Sequence, residues 1–175
     1  MAIDLFEIDK SGYDVMERDY AIVVVKNNKL VYGYKINQKC RDDLVRELNQ
    51  GHLGINDTKG KIDRLRFKIR LHTAIIILLM KEAVKKREIL NDCKILICND
   101  IDGHFQEIKE MLFYHIKVDI PNLEKINIIK SKFPKESLVN VSAKAFRERD
   151  TSKTNNYIEC SFKFEDLKNI IKKRR

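Results

Sequence analysis

At 175 residues, with 35 basic against 26 acidic side chains and a net charge of +9, the chain has the length of one domain able to bury a sizeable core, and its charge favours polyanions such as nucleic acid. Two prolines and six glycines set against 43% apolar residues exclude disorder as the main state. The longest apolar run, Ala74 to Met80, is too short to cross a bilayer, and the acid-bearing first residues lack a secretory leader, so a cytoplasmic protein with no membrane partner is expected.

The stretch from Ala2 to Gly12, AIDLFEIDKSG, reads as a buried strand with Asp9 at its carboxyl end, where open α/β sheets place their ligands. Tyr20 to Val25 is a β-branched run, Asn27-Asn28 a turn, and Leu30 to Ile36 the returning strand, so the second and third strands pair antiparallel. A helix is read from Arg41, with Leu44, Val45 and Leu48 on one face and Gly51 as its stop. Gln50 to Gly60, rich in glycine, reads as a mobile loop. A long helix is expected from Lys61 to about Glu88, apolar nearly all round in its middle.

Lys94 to Cys98 (KILIC) reads as a buried parallel strand, and it runs into Asn99-Asp100-Ile101-Asp102-Gly103-His104, a second carboxylate cluster at a strand end. Phe105, Ile108, Leu112 and Ile116 mark a helix, Ile126 to Ile129 a fifth strand, and Leu138, Val141, Ala145 and Phe146 a helix ending near Arg149. The last segment reads two ways. Ile158, Cys160, Phe162 and Phe164 alternate like a strand, whereas Phe164, Leu167, Ile170 and Ile171 repeat like a helix, placed from about Glu165 as a basic C-terminal end (about 165–175). No repeat or boundary divides residues 1–175. Cys40, Cys93, Cys98 and Cys160 show no CxxC or zinc spacing, and reduced thiols without disulfide or structural zinc are expected.

This order resembles the ribonuclease H-like fold, a mixed five-stranded sheet whose first three strands form an antiparallel meander, flanked by helices. The junctions resemble ribonuclease HII in particular. Ile8-Asp9-Lys10-Ser11-Gly12 resembles that family's opening IDEAG, and KILICNDIDG after a long helix resembles its strand ending in DG. Phe133-Pro134, then Val141-Ser142-Ala143-Lys144 and Arg147, resembles its YPVVAAASIIAK segment and the arginine that follows.

The resemblance implies a metal-dependent nuclease acting on nucleic acid. In that family four carboxylates hold Mg²⁺ or Mn²⁺, which activates water for phosphodiester hydrolysis and leaves a 3′-hydroxyl. By motif the first carboxylate is Asp9, and another is Asp102, by its DG match, or Asp100, by lying closer to the strand. The remaining two fall on Lys10 and Lys130. Either neighbouring acids (Asp14, Glu17, Asp19 or Glu136) replace those ligands, or the lysines close the site into an ion-pair cluster and the chain is a non-catalytic module that binds nucleic acid or a protein partner. Lys10, Lys130, Lys144 and Arg147 are the candidate nucleic-acid contacts. His104 reads as a proton shuttle or as a local hydrogen-bond former, Asp100 as a ligand or a helix cap, and Tyr32 with Tyr34 as stacking or packing residues.

Overall fold

The computed structural model describes residues 3–12, 14–16, 20–85, 92–98, 104–119, 125–150 and 157–172. Along them run β1 (Asp4–Ser11), β2 (Ala21–Lys26), β3 (Leu30–Lys35), α1 (Gln38–Asn49), α2 (Arg64–Val84) and β4 (Asp92–Cys98). They are followed by α3 (Phe105–Asp119), β5 (Lys125–Ser131), α4 (Leu138–Glu148), β6 (Tyr157–Glu159) and α5 (Phe164–Lys172). The fold is α/β: one mixed sheet in the order β5-β4-β1-β2-β3-β6 with helices on both faces. β1, β2 and β3 are antiparallel, while β4 runs parallel to β1, β5 to β4 and β6 to β3.

The sheet has six strands where five are expected from the sequence. The sixth is short and has little apolar signal, with Ile158 38% exposed, and it is held by backbone pairing of Val31 with Tyr157 and of Gly33 with Glu159. α1 begins at Gln38, ahead of the expected Arg41, because the Asn37 side chain accepts from the Cys40 amide at 2.8 Å. α2 begins at Arg64 rather than Lys61, because Asp63 caps Arg66 while Ile62 bridges to Asn56. The glycine-rich loop before it is mostly exposed and is anchored at a few points. Leu53 and Ile55 are buried, and Asp57 Oδ1 accepts from the amides of Lys59 and Lys61 at 2.8 Å.

The two sheet faces are covered differently. Phe6, Ile8, Ile22, Val24, Ile95 and Ile97 pack against α2, whose Leu71, Ile75, Ile76 and Leu79 are fully enclosed, each such burial being worth about 1.5–3 kcal/mol. The opposite face carries Ala21, Val23, Val25 and Val31 beneath Val139, Ala143 and Phe146 of α4. A Cβ on Gly33 would stand 2.5 Å from the Phe146 ring, so the bare glycine admits that ring. α4 covers β1 to β3 only; Lys94 of β4 and Asn127 of β5 are exposed. Among the described residues no helix is long and apolar enough to cross a membrane, and the four cysteines are buried and form no disulfide.

The hairpin tip is fixed to the central strand through one residue. Asn27 and Asn28 take φ of 51° and 53°, as a primed hairpin turn requires. Asn27 N–H donates to the Leu5 carbonyl at 2.8 Å, its Oδ1 accepts from the Leu5 amide at 2.7 Å, and its Nδ2 donates to Asp4 at 2.7 Å.

Asn27→Ala, which loses both side-chain bonds and forces a left-handed backbone on alanine, lowers unfolding free energy by about 2–4 kcal/mol, and Asn27→Gly by less. Urea denaturation checks this, and equal losses would mean that the backbone angle carries no weight. Gly33→Ala costs about 1–3 kcal/mol through overpacking, part of which Phe146→Leu recovers in the double variant if the ring contact is the cause.

Candidate functional site at the carboxyl end of the central strand

β1 is where the strand order reverses: the chain continues to β2 and β3 on one side and reaches β4 and β5 on the other. The carboxyl end of such a strand is the switch point at which open sheets form ligand crevices. Asp9 stands there, 6% exposed, with Oδ1 accepting from the Lys10 amide at 2.8 Å. Opposite Asp9 and Glu7 in the ladder are Val23 and Val25, so both carboxylates lie on the α4 face. Burial raises the Glu7 carboxyl above its ordinary value. A reading of β1 as apolar on both faces passes over Glu7, although strand alternation from Asp9 identifies it.

Lys10 points to the other face. Its Nζ donates to the Gly12 carbonyl at 3.2 Å, not to Asp9. Lys130, exposed on β5, is paired with Ile97, which is itself paired with Ile8, so it too lies on the α2 side. Lys10 and Lys130 therefore share one face and Asp9 occupies the other. Asp14 is engaged by Lys68 of α2 and by the Met16 amide, and Glu136 is exposed in the turn before α4. Asp100, Asp102, Glu17 and Asp19 lie outside the described residues, as do residues 173–175.

Behind this rim the structure places a pair that sequence reasoning missed. Tyr20, just before β2, and His72, in the middle of α2, share a hydrogen bond of 2.6 Å between the hydroxyl and Nδ1. His72 is 5% exposed, and its Nε2 has no hydrogen-bond partner among the described residues. Burial first, and the Lys10 charge second, hold its pKa down at about 3, so the ring is neutral. The Tyr20 hydroxyl is pushed well above its ordinary value by burial and then by Cys98, Asp14 and Asp9, which ties the pair electrostatically to the rim. Its place on the buried helix face, one position after Leu71 and just ahead of the apolar run Ala74 to Met80, is the one signal that marks His72.

The other candidates separate. Lys144 is exposed on α4, and Arg147, one turn on, pairs with Glu148 at 3.1 Å. His104 sits half-buried just before α3. Tyr32 and Tyr34 are buried on the α2 face, Tyr34 against Phe162 at 4.8 Å between ring centroids, so they pack and offer no stacking surface. Among the described residues no three His, Cys, Asp or Glu side chains come together as a metal-binding group. No known protein family, no curated protein and no solved structure matches the chain.

His72 makes stability sensitive to acid. Its native pKa lies below the 6.5 of an unfolded histidine, so the unfolded chain binds the proton more readily, and stability is full above pH 6.5 and falls as pH drops toward 3. At pH 5 the loss from this group is about 2 kcal/mol relative to pH 7. Denaturant melts of wild type and His72→Asn at both pH values check it; identical pH dependence in the two proteins would count against it.

Proposed function

We propose that the chain is a divergent ribonuclease H-like protein, related to ribonuclease HII, that processes nucleic acid. The observation that carries this reading is the strand order β5-β4-β1-β2-β3, a mixed five-strand array with β1 central, together with Asp9 at the carboxyl end of β1. β6 is an addition at its edge. β4 runs parallel beside β1 and ends at Cys98, just ahead of Asp100 and Asp102, so a carboxylate from that segment is the natural partner of Asp9.

Asp9 with Asp100 or Asp102 is an all-oxygen donor set, of the kind Mg²⁺ and Mn²⁺ prefer. When bound, such an ion supplies a lowered pKa for its water and Lewis-acid stabilisation of the phosphate oxygens. The chain's own residues do the rest. The Lys10 amide fixes one oxygen of Asp9, and the sheet interior below excludes water from its back. Lys144, exposed on α4, and Arg147 are the cations that would neutralise phosphates of a bound strand.

A non-catalytic module on the same fold, binding nucleic acid or a protein partner, is favoured by the burial of Asp9. The two readings separate on cleavage of an RNA/DNA hybrid and of a duplex carrying a single ribonucleotide, with magnesium and then manganese. Metal-dependent cleavage that falls by more than about 100-fold in Asp9→Asn, beyond what loss of an outer partner costs, is the expected result. An inactive wild type whose melting temperature drops on Asp9→Asn would establish the non-catalytic module instead.

A further inference from the structure

On the rim that carries Asp9, the last turn of α4, the end of β3 and the added strand β6 enclose a groove of about 1010 Å³. Three cations face it from two elements: Lys35 of β3, and Arg147 and Arg149 at the end of α4. Lys35 Nζ donates to the Arg147 carbonyl at 3.2 Å, which holds the strand's cation against the helix end. Arg149 terminates the helix at φ 58°, where the left-handed backbone favours glycine or asparagine. An arginine in that conformation, exposed and with no ion pair among the described residues, sets a charge at the groove mouth despite the backbone strain. Tyr157 closes the groove, tilted 37° against Phe146 at 4.6 Å, and its hydroxyl is buried with no hydrogen-bond partner among the described residues.

The position matters as much as the content. Lys35 is paired with Ala21, which is paired with Ser11, so Lys35 and the end of β1 lie in one row, about 10 Å apart at the usual strand spacing. The lining combines cations with the Glu159 carboxylate and an aromatic ring, Glu148 being paired with Arg147 at 3.1 Å. Phosphates match the first; hydroxyl and amino donors of sugars and bases match the second; a base or sugar face matches the third. An acidic peptide offers the anion but not a flat ring beside each anionic group for Tyr157.

We infer that this groove holds a single strand of nucleic acid, with phosphates on Lys35, Arg147 and Arg149 and a base or sugar against Tyr157, the strand leading toward Asp9. The inference rests on the nucleic-acid reading above, and adds where the strand lies and why β6 is present.

Fluorescence anisotropy with a labelled oligothymidylate and oligouridylate tests it. Arg149→Gly relieves the backbone while removing the charge, so its melting temperature holds or rises while affinity falls about 5- to 10-fold and the salt dependence loses about one phosphate contact. Lys35→Gln weakens binding likewise, whereas Lys59→Gln, an exposed lysine of the segment before α2, leaves it unchanged. Wild-type affinity in Arg149→Gly and Lys35→Gln, absence of strand binding, or displacement of the strand by polyglutamate as readily as by unlabelled oligonucleotide would overturn the inference, the last in favour of an acidic protein partner. Failure of the nuclease reading, seen as no cleavage by a wild type that still binds the strand, is distinguishable from failure of the groove, seen as no effect of Arg149→Gly and Lys35→Gln on binding.

Discussion

The ring of Phe146 rests on the backbone of Gly33, and α4 lies close over the sheet only because that position has no side chain. This contact sets the height of the helix above β1, β2 and β3. Val139 and Ala143 then reach Val23, Val25 and Val31, and the surface around Asp9 becomes a walled rim instead of an open sheet face. The same ring packs on Tyr157, so the helix that covers the central strands also orients the added edge strand. One steric fact thus couples the two regions to which function is assigned.

The two faces of the sheet divide the chemistry between them. On the α2 side the interior is deep and apolar; His72 and Tyr20 within it are kept uncharged by burial, and the buried Lys26 ammonium is held by the Ala83 carbonyl at 3.0 Å. On the α4 side the packing is thinner and acidic and basic groups stand at its margin, Glu7 and Asp9 on β1 and Arg147 and Arg149 at the helix end. Lys10 sits at the boundary, on the α2 side of the strand but with its ammonium returned to the Gly12 carbonyl at the rim.

Much of this was legible from residue order. The β-branched run before Asn27, the returning Leu30–Lys35 strand and the apolar middle of α2 each carry one dominant period, and each forms the element expected of it. Legibility failed where backbone pairing or capping outweighs side-chain pattern. β6 is specified by its ladder to β3 and by Tyr157 against Phe146, where residue order alone reads as strand or helix, and α1 starts at Gln38 because Asn37 caps it, although Gln38 and Lys39 add no apolar position to the helical period. The site was half legible. Asp9 follows from a strand end, but the pairing of Tyr20 with His72 joins residues far apart in the chain, which no local period reports. Lys35 and Arg149 were silent for the same reason.

β6 joins β3 only after the chain has travelled through α1, α2, β4, α3, β5 and α4. Such non-local closure is slow relative to a hairpin, because the loop entropy is lost before the contact is gained. The β1–β2–β3 meander, with Asp9 already at its end, is by contrast local and early. The two halves of the rim therefore differ in age within each folding event. A chain still emerging from the ribosome carries the carboxylate without the basic groove beside it, and acquires the groove as one of the last steps in becoming native.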